Sequence, residues 1–269
     1  MNEYESKALK EIKKWEKREP SVVAQATNVI SKPVQWVIEK CIPAKVIEGA
    51  INSASDIAAM VTDKNDIIRD AQISDIKELR SKSLELSDKL ANEIRLWASG
   101  VAATEGGIAG FFGLPSMVVD IPAIIIMALR VIQKTALCYG YECNNEKERQ
   151  FVLVVMSAAG ANTMEEKAVA LVTLRNIATA ISKTTWKRLA EKASEKQIIP
   201  AVITTVRSVA KQLSINITKR KATQAIPYIG SAVGSAMNVA FINDMAVAAQ
   251  RSYQKRWLKD NNINVTETE

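Results

Sequence analysis

The chain has 269 residues, among them 36 Lys and Arg, 29 Asp and Glu, 3 cysteines and no histidine, for a formal net charge of +7. The missing histidine excludes a Ser-His-Asp triad, a Cys-His pair, an imidazole base and any imidazole-ligated metal. Hydrophobic residues at 48% and charged ones at 24% exclude a disordered chain, and the length suits one large domain or two small ones.

The signals are helical nearly throughout, with only 10 glycines and 7 prolines. Residues 1–19 mix both signs of charge and hold no apolar core of a secretory signal. Residues 3–18 read as a charged amphipathic helix ending before Pro20. Ser21 caps a second helix running to about Pro33, and Pro33 and Pro43 punctuate two further pieces. Over 64–98, Ile68, Ile73, Ile76, Leu79, Leu86, Leu90, Ile94 and Trp97 recur mostly at threes and fours. That spacing predicts one long amphipathic helix, with Asn65 or Asp66 at its start and its charged residues on the solvated side. Glu146–Ala159, Met164–Ser182, Thr184–Gln197 and Pro200–Leu213 read as ordinary helices. The run Phe151–Met156 has the look of a buried strand, but no partner run exists and it is kept helical.

Two stretches stand apart, Gly106–Leu129 and Ala225–Ala249, each near bilayer length and almost wholly apolar or small. Each holds one acid, Asp120 or Asp244, and each is followed by an arginine, Arg130 or Arg251. An acid at the middle of a spanning helix costs about 2.5–3.5 kcal/mol on insertion scales. Split at Asp120, the first stretch leaves runs of 14 and 9 residues, short for spanning. Basic residues flank the second on both sides and give no orientation signal. Buried core helices are therefore favoured over spanning ones. Gly106 with Gly110, and Gly230 with Gly234, place small residues four apart for close helix packing.

The expected fold is all-α, a single compact multi-helix domain. Its two apolar Gly/Ala-rich segments, about 106–139 and 225–258, are surrounded by amphipathic helices. An N-terminal amphipathic region, 1–63, and a helical core, 64–269, merge into one integrated domain over 1–260, with a short disordered tail at 261–269. Cys41, Cys138 and Cys143 are scattered, imply no disulfide framework and make a poor zinc site, so a reducing compartment, bystander thiols and no metal are expected. The C-terminal NVTETE holds no lipidation box, and the protein is expected to face the cytoplasm.

The positive charge is concentrated. Residues 183–221 hold ten basic side chains and two acids, a segment at +8 against −1 for the remainder. Lys183, Lys187 and Arg188 lie on neighbouring helical turns with Trp186 among them, and Lys192, Lys196, Arg207, Lys211, Lys219, Arg220 and Lys221 follow. A cationic helix with an aromatic residue suits an anionic membrane surface. Nucleic acid accepts such a patch too but is not favoured, since no recognition motif accompanies it. A merely solvated face is the plain alternative.

Without histidine, catalysis would rest on carboxylates, Ser-Lys pairs or cysteine, and no GxxxxGK[ST], GxGxxG or HExxH occurs. Two glycines at a helix start, Gly106 and Gly107 after Thr104 and Glu105, would admit a phosphate, although a tight helix junction explains them better. Asp120 and Asp244 are expected to pair with Arg130 and Arg251 between packed helices, a structural ion-pair cluster more than an acid/base site.

The segments 103–142 (ATEGGIAGFFGLPSMVVDIPAIIIMALRVIQKTALCYGYE) and 225–258 (AIPYIGSAVGSAMNVAFINDMAVAAQRSYQKRWL) resemble the central and C-terminal signatures of the EcsC protein family, and 20–43 is similar to its start. The matching positions are Thr104, Gly107, Gly113, Pro115, Asp120, Pro122, Arg130, Tyr139, Gly140, Tyr141, Pro227, Gly230, Gly234, Asn238 and Arg256, while Glu105 stands where a small residue is expected. The resemblance implies an association with an ABC-type transporter without the ATPase motifs of the pump. It implies no cofactor and no agreed catalytic residue. The expectation is thus a protein leaning to the non-enzymatic, peripheral on the inner face of the membrane and assisting a transport-linked process. Its partners are then anionic lipid and a membrane transporter. A membrane-inserting effector of toxin or anti-phage type, and more distantly a carboxylate hydrolase, are the alternatives.

Overall fold

In the computed structural model the described residues are 1–20, 62–103, 120–188 and 231–263, with Ser208, Gln212 and Asn216; the side chains of 120–123, 183–188 and 231–237 are outside that description. Every regular element among them is helical, as the periodicity predicts. Helix α1 spans Glu3–Lys17. Asn2 accepts from the Glu5 N–H at 2.8 Å and the Glu5 carboxylate accepts from the Asn2 N–H at 2.7 Å, a reciprocal cap that fixes its start.

The single helix expected over 64–98 is three pieces. Helix α2, Asn65–Ala71, stops at Gln72, whose φ of 53° lies in the left-handed region. Its N-cap residue, Lys64, makes no side-chain cap; the Asp63 carboxylate accepts from the Asn65 N–H and the Asp66 carboxylate from the Ile67 N–H, each at 2.9 Å. A 3-10 helix, Ile76–Ser81, follows behind a second reciprocal cap between Asp75 and Glu78. Helix α3 is Leu84–Ala103. These breaks rephase the buried face onto Leu84, Asp88, Ala91, Ile94 and Ala98, while Leu96 and Trp97 turn outward.

Helix α4, Asp120–Cys138, is the buried centre, with Ile125, Met127, Ala128, Leu129, Val131, Ile132 and Ala136 fully enclosed. Helix α5, Glu146–Ala159, starts where Asn145 accepts from the Glu148 N–H at 3.1 Å, and its Phe151–Met156 run is buried helix. Helix α6, Met164–Arg188, runs through Ser182 and Thr184, where two helices were expected; no glycine or proline interrupts the sequence there. Helix α7, Ser231–Asp260, contains most of the second apolar stretch.

Helix α7 packs against α3, α4, α5 and α1, and α4 also contacts α3 and α5. Helix α6 packs chiefly on α5 and only lightly on α7. Gln212 and Asn216 hydrogen-bond onto this pair, Gln212 accepting from Ser157 and donating to Glu166, each at 2.9 Å. No helix among the described residues is long and apolar enough to cross a membrane. The expected helices at 21–61, the glycines Gly106, Gly107, Gly110, Gly113 and Gly230, Pro115 and the basic residues from Lys192 to Lys221 lie outside the described residues, as do Cys41 and the tail from 264.

Candidate functional site

Burying a charge is costly unless it is paired and hydrogen-bonded. Two buried acids are held inside the bundle, Asp88 by hydrogen bonds from neutral groups and Glu148 by a cation. Asp88, 4% exposed on α3, accepts from the Tyr4 hydroxyl and from the Gln254 amide, both at 2.8 Å. It also accepts a short bond from the Tyr139 hydroxyl. Gln254 in turn accepts from the Arg251 guanidinium at 2.8 Å. One carboxylate therefore joins α1, α3, α7 and the turn after α4. Burial pushes Asp88 above the usual aspartate range, against the hydrogen bonds of Tyr139, Gln254 and Tyr4.

The second acid is Glu148 in the first turn of α5. The Arg256 guanidinium of α7 donates to its two oxygens at 2.6 and 2.7 Å, with both side chains at most 5% exposed. Arg256 lies 3.9 Å from the Tyr141 ring centroid, and Tyr141 donates to Asp260 at 2.8 Å. Burial alone would lower the Arg256 guanidinium; the bonds and charge of Glu148 hold it above its ordinary value. Tyr253 stacks on Tyr141 at 5.7 Å between centroids and meets Phe151 in a tilted arrangement at 5.1 Å. The Cys143 thiol beside them is pushed up to about 12 by burial and by Glu148. That makes it a poor nucleophile near neutral pH.

Gly140 between the two tyrosines has φ +83°, and its carbonyl accepts from Arg80 at 2.7 Å. A Cβ there would stand 2.6 Å from Arg80 Cγ and 2.8 Å from its backbone nitrogen. The Tyr139-Gly140-Tyr141 turn and Arg256 thus meet in one core junction.

A solvent-open cleft adjoins this junction between α1, α6 and α7. It encloses about 490 Å³, part of it open to solvent. Among the described residues its apolar wall is Trp15, Phe151, Leu171, Leu174 and Ala178. Its charged lining is Arg175, Arg251, Lys255, Arg256 and Lys259 against one carboxylate, Glu16. Lys255 pairs with Glu16 at 2.6 Å, and Lys259 donates to the Thr179 hydroxyl at 3.0 Å. At the α1 end, the Lys167 ammonium caps the helix C-terminus, donating to the carbonyls of Trp15 and, at 2.7 Å, of Arg18. Burial and Arg18 lower its amine to about 8, against the charges of Glu16 and Asp244.

The four residues singled out from sequence fall as follows. Arg130 lies over the Trp97 ring, 5.1 Å from its centroid, and burial lowers its guanidinium against the charges of Asp66 and Asp63. Arg251 stands 3.7 Å from Glu11. Asp244 is half-buried on α7, and Asp120 opens α4. Lys183, Lys187 and Arg188 form the last turns of α6, and Gly234 sits near the start of α7. The residues that sequence reasoning missed are Asp88, Glu148, Gln254 and Lys167.

A family profile described as the EcsC protein family matches residues 6–258. The chain is 23% identical over 261 residues to the uncharacterized protein YdbA of Bacillus subtilis (strain 168), covering 92% of this chain and 90% of that protein. It is 22% identical over 230 residues to Protein EcsC of the same organism, covering 86% of each. No solved structure matches it.

Proposed function

The chain belongs to the EcsC protein family, and from that membership we propose that it is a non-enzymatic protein that docks on the anionic inner face of a membrane and assists a transporter there. The observation that carries the reading is the concentration of charge: +8 over residues 183–221 against −1 elsewhere. Helix α6 continues into that segment, so Lys183 and Lys187, four apart, share a helical face with Trp186 and Arg188 nearby. Clustered basic residues near an anionic bilayer contribute about 1 kcal/mol each. The cationic side of the cleft, Arg175, Lys255 and Lys259, adds to the same sign. The buried acids support a non-enzymatic reading, because Asp88 and Glu148 are each committed to partners inside the core. Surface attachment is favoured over insertion because the described helices are too short or too polar to span.

Liposome co-sedimentation tests this. Pelleting that requires anionic lipid and fades as salt rises supports surface docking, since screening acts within about a Debye length. Pelleting that survives high salt and alkaline wash replaces it with the inserting effector. Protein that stays in the supernatant throughout overturns both.

A further inference from the structure

Helix α3 buries Leu84, Asp88, Ala91, Ile94 and Ala98 and turns a second stripe outward. Leu86, Lys89, Glu93 and Leu96 follow one another along it at intervals of three, four and three. That spacing sets them in one line on the helix surface. Leu86 is half-buried, Lys89 and Glu93 are exposed, and Leu96 is 70% exposed. Among the described residues neither Lys89 nor Glu93 makes an ion pair. A shallow groove of about 600 Å³ lies open over this face, lined also by Tyr4, Ser83, Glu85 and Asn92.

The order of the four residues is complementary to itself. Read in one direction it is Leu, Lys, Glu, Leu; read in the other it is Leu, Glu, Lys, Leu, with the same intervals. A two-fold interface brings residue i of one copy against j of the other, and j against i. Leu86 with Leu96, and Lys89 with Glu93, share one midpoint at the level of Ala91. Two copies of α3 laid antiparallel about that midpoint therefore set Lys89 against Glu93 of the partner subunit twice, between two leucine contacts. A parallel pairing sets Lys89 on lysine and Glu93 on glutamate, and like charges brought together are costly. We propose that the outward face of α3 is the interface of an antiparallel homodimer of this chain. One helix face buries less than about 1,200 Å², the size class of weak and transient complexes. The dimer is thus a reversible one, formed in the micromolar range. Nothing in it depends on membrane docking.

Sedimentation velocity of the full chain over a concentration series tests this. The parent is expected to pass from monomer to dimer as its concentration rises through the micromolar range, and less readily at high salt, because the central contacts are charged. Lys89→Glu alone, or Glu93→Lys alone, brings like charges together twice in each dimer and should weaken association at least tenfold. An equimolar mixture of these two variants should associate again, since every contact between positions 89 and 93 across the mixed pair is then Glu with Lys. The double variant Lys89→Glu with Glu93→Lys should also dimerise, within about threefold of the parent. Leu96→Ser should weaken the dimer several-fold. Circular dichroism checks each fold; the exchanged charges are exposed, so the variants are expected to fold. A parent that stays monomeric throughout overturns the proposal. So does a dimer that the single charge variants leave intact, and so does a mixture of the two that fails to associate.

Discussion

Arg256 and Glu148 offer the sharpest energetic test. Replacing Arg256 with Met removes two hydrogen bonds of 2.6 and 2.7 Å and leaves the Glu148 carboxylate, 5% exposed, without its cation. Breaking a buried pair from one side costs about 3–5 kcal/mol. The contact of the guanidinium with the Tyr141 ring at 3.9 Å adds to that loss, as such contacts are worth about 2 kcal/mol when desolvated. Against a total stability of about 5–15 kcal/mol, a single substitution of this kind threatens the fold. Glu148→Leu should cost a similar amount, because it strands the cation. The double variant Arg256→Met with Glu148→Leu removes both charges and should lie within about 2 kcal/mol of the parent, since apolar replacement of a buried pair is often neutral. Urea unfolding of the four proteins completes the cycle. A single-variant cost under 1 kcal/mol, or additive costs in the double variant, would refute the assignment of this pair as the tie between α5 and α7.

Further outcomes follow from the same packing. Gly140→Ala should destabilise by more than about 1 kcal/mol, from the positive φ and the clash with Arg80; an unchanged melting temperature contradicts this. Asp88→Ala strands donors on Tyr4, Tyr139 and Gln254, at about 1–3 kcal/mol for each buried donor left unpaired; a cost below the single-donor figure would show that the network does not join the helices. Lys167 and Cys143 set opposite pH slopes. The Lys167 amine falls from 10.5 to about 8 on folding, so between those values the unfolded chain binds the extra proton and stability rises with pH. The Cys143 thiol rises from 9.0 to about 12, so the folded chain keeps its proton longer and stability falls over that window. Comparing Lys167→Met and Cys143→Ser with the parent at pH 7.5 and pH 10 reads both signs. A Lys167 advantage that shrinks at pH 10, or a Cys143 advantage that grows there, contradicts the assignment.

The elements written locally were legible. The caps Asn2 and Asn145 set the starts of α1 and α5, and the expected ranges lie close to the observed ones. The 64–98 region misled because its apolar spacing continues across Gln72 and Ser81, where left-handed backbone and the Asp75–Glu78 cap break the helix. The capping pattern Asp75-x-x-Glu78 was the available signal. Asp88 was hidden among charges assigned to solvent, although it sits four residues after Leu84 and three before Ala91, on the buried stripe of α3. The Glu148–Arg256 pair spans 108 residues, and no local pattern joins them. Its arginine was visible only through the family signature. Lys167 reads as one more charge in a helical first turn, since its role depends on where α1 ends. The cleft needs α6 and α7 to be set apart, which is a property of packing and not of either helix alone.

The most direct measurement of the docking claim is fractionation of cells making the native protein beside a variant with Lys183, Lys187 and Arg188 changed to Glu. The account predicts parent protein in the membrane fraction, released by high salt, and the folded variant in the soluble fraction. Parent protein in the soluble fraction at low salt, or parent and variant distributed alike, would contradict it.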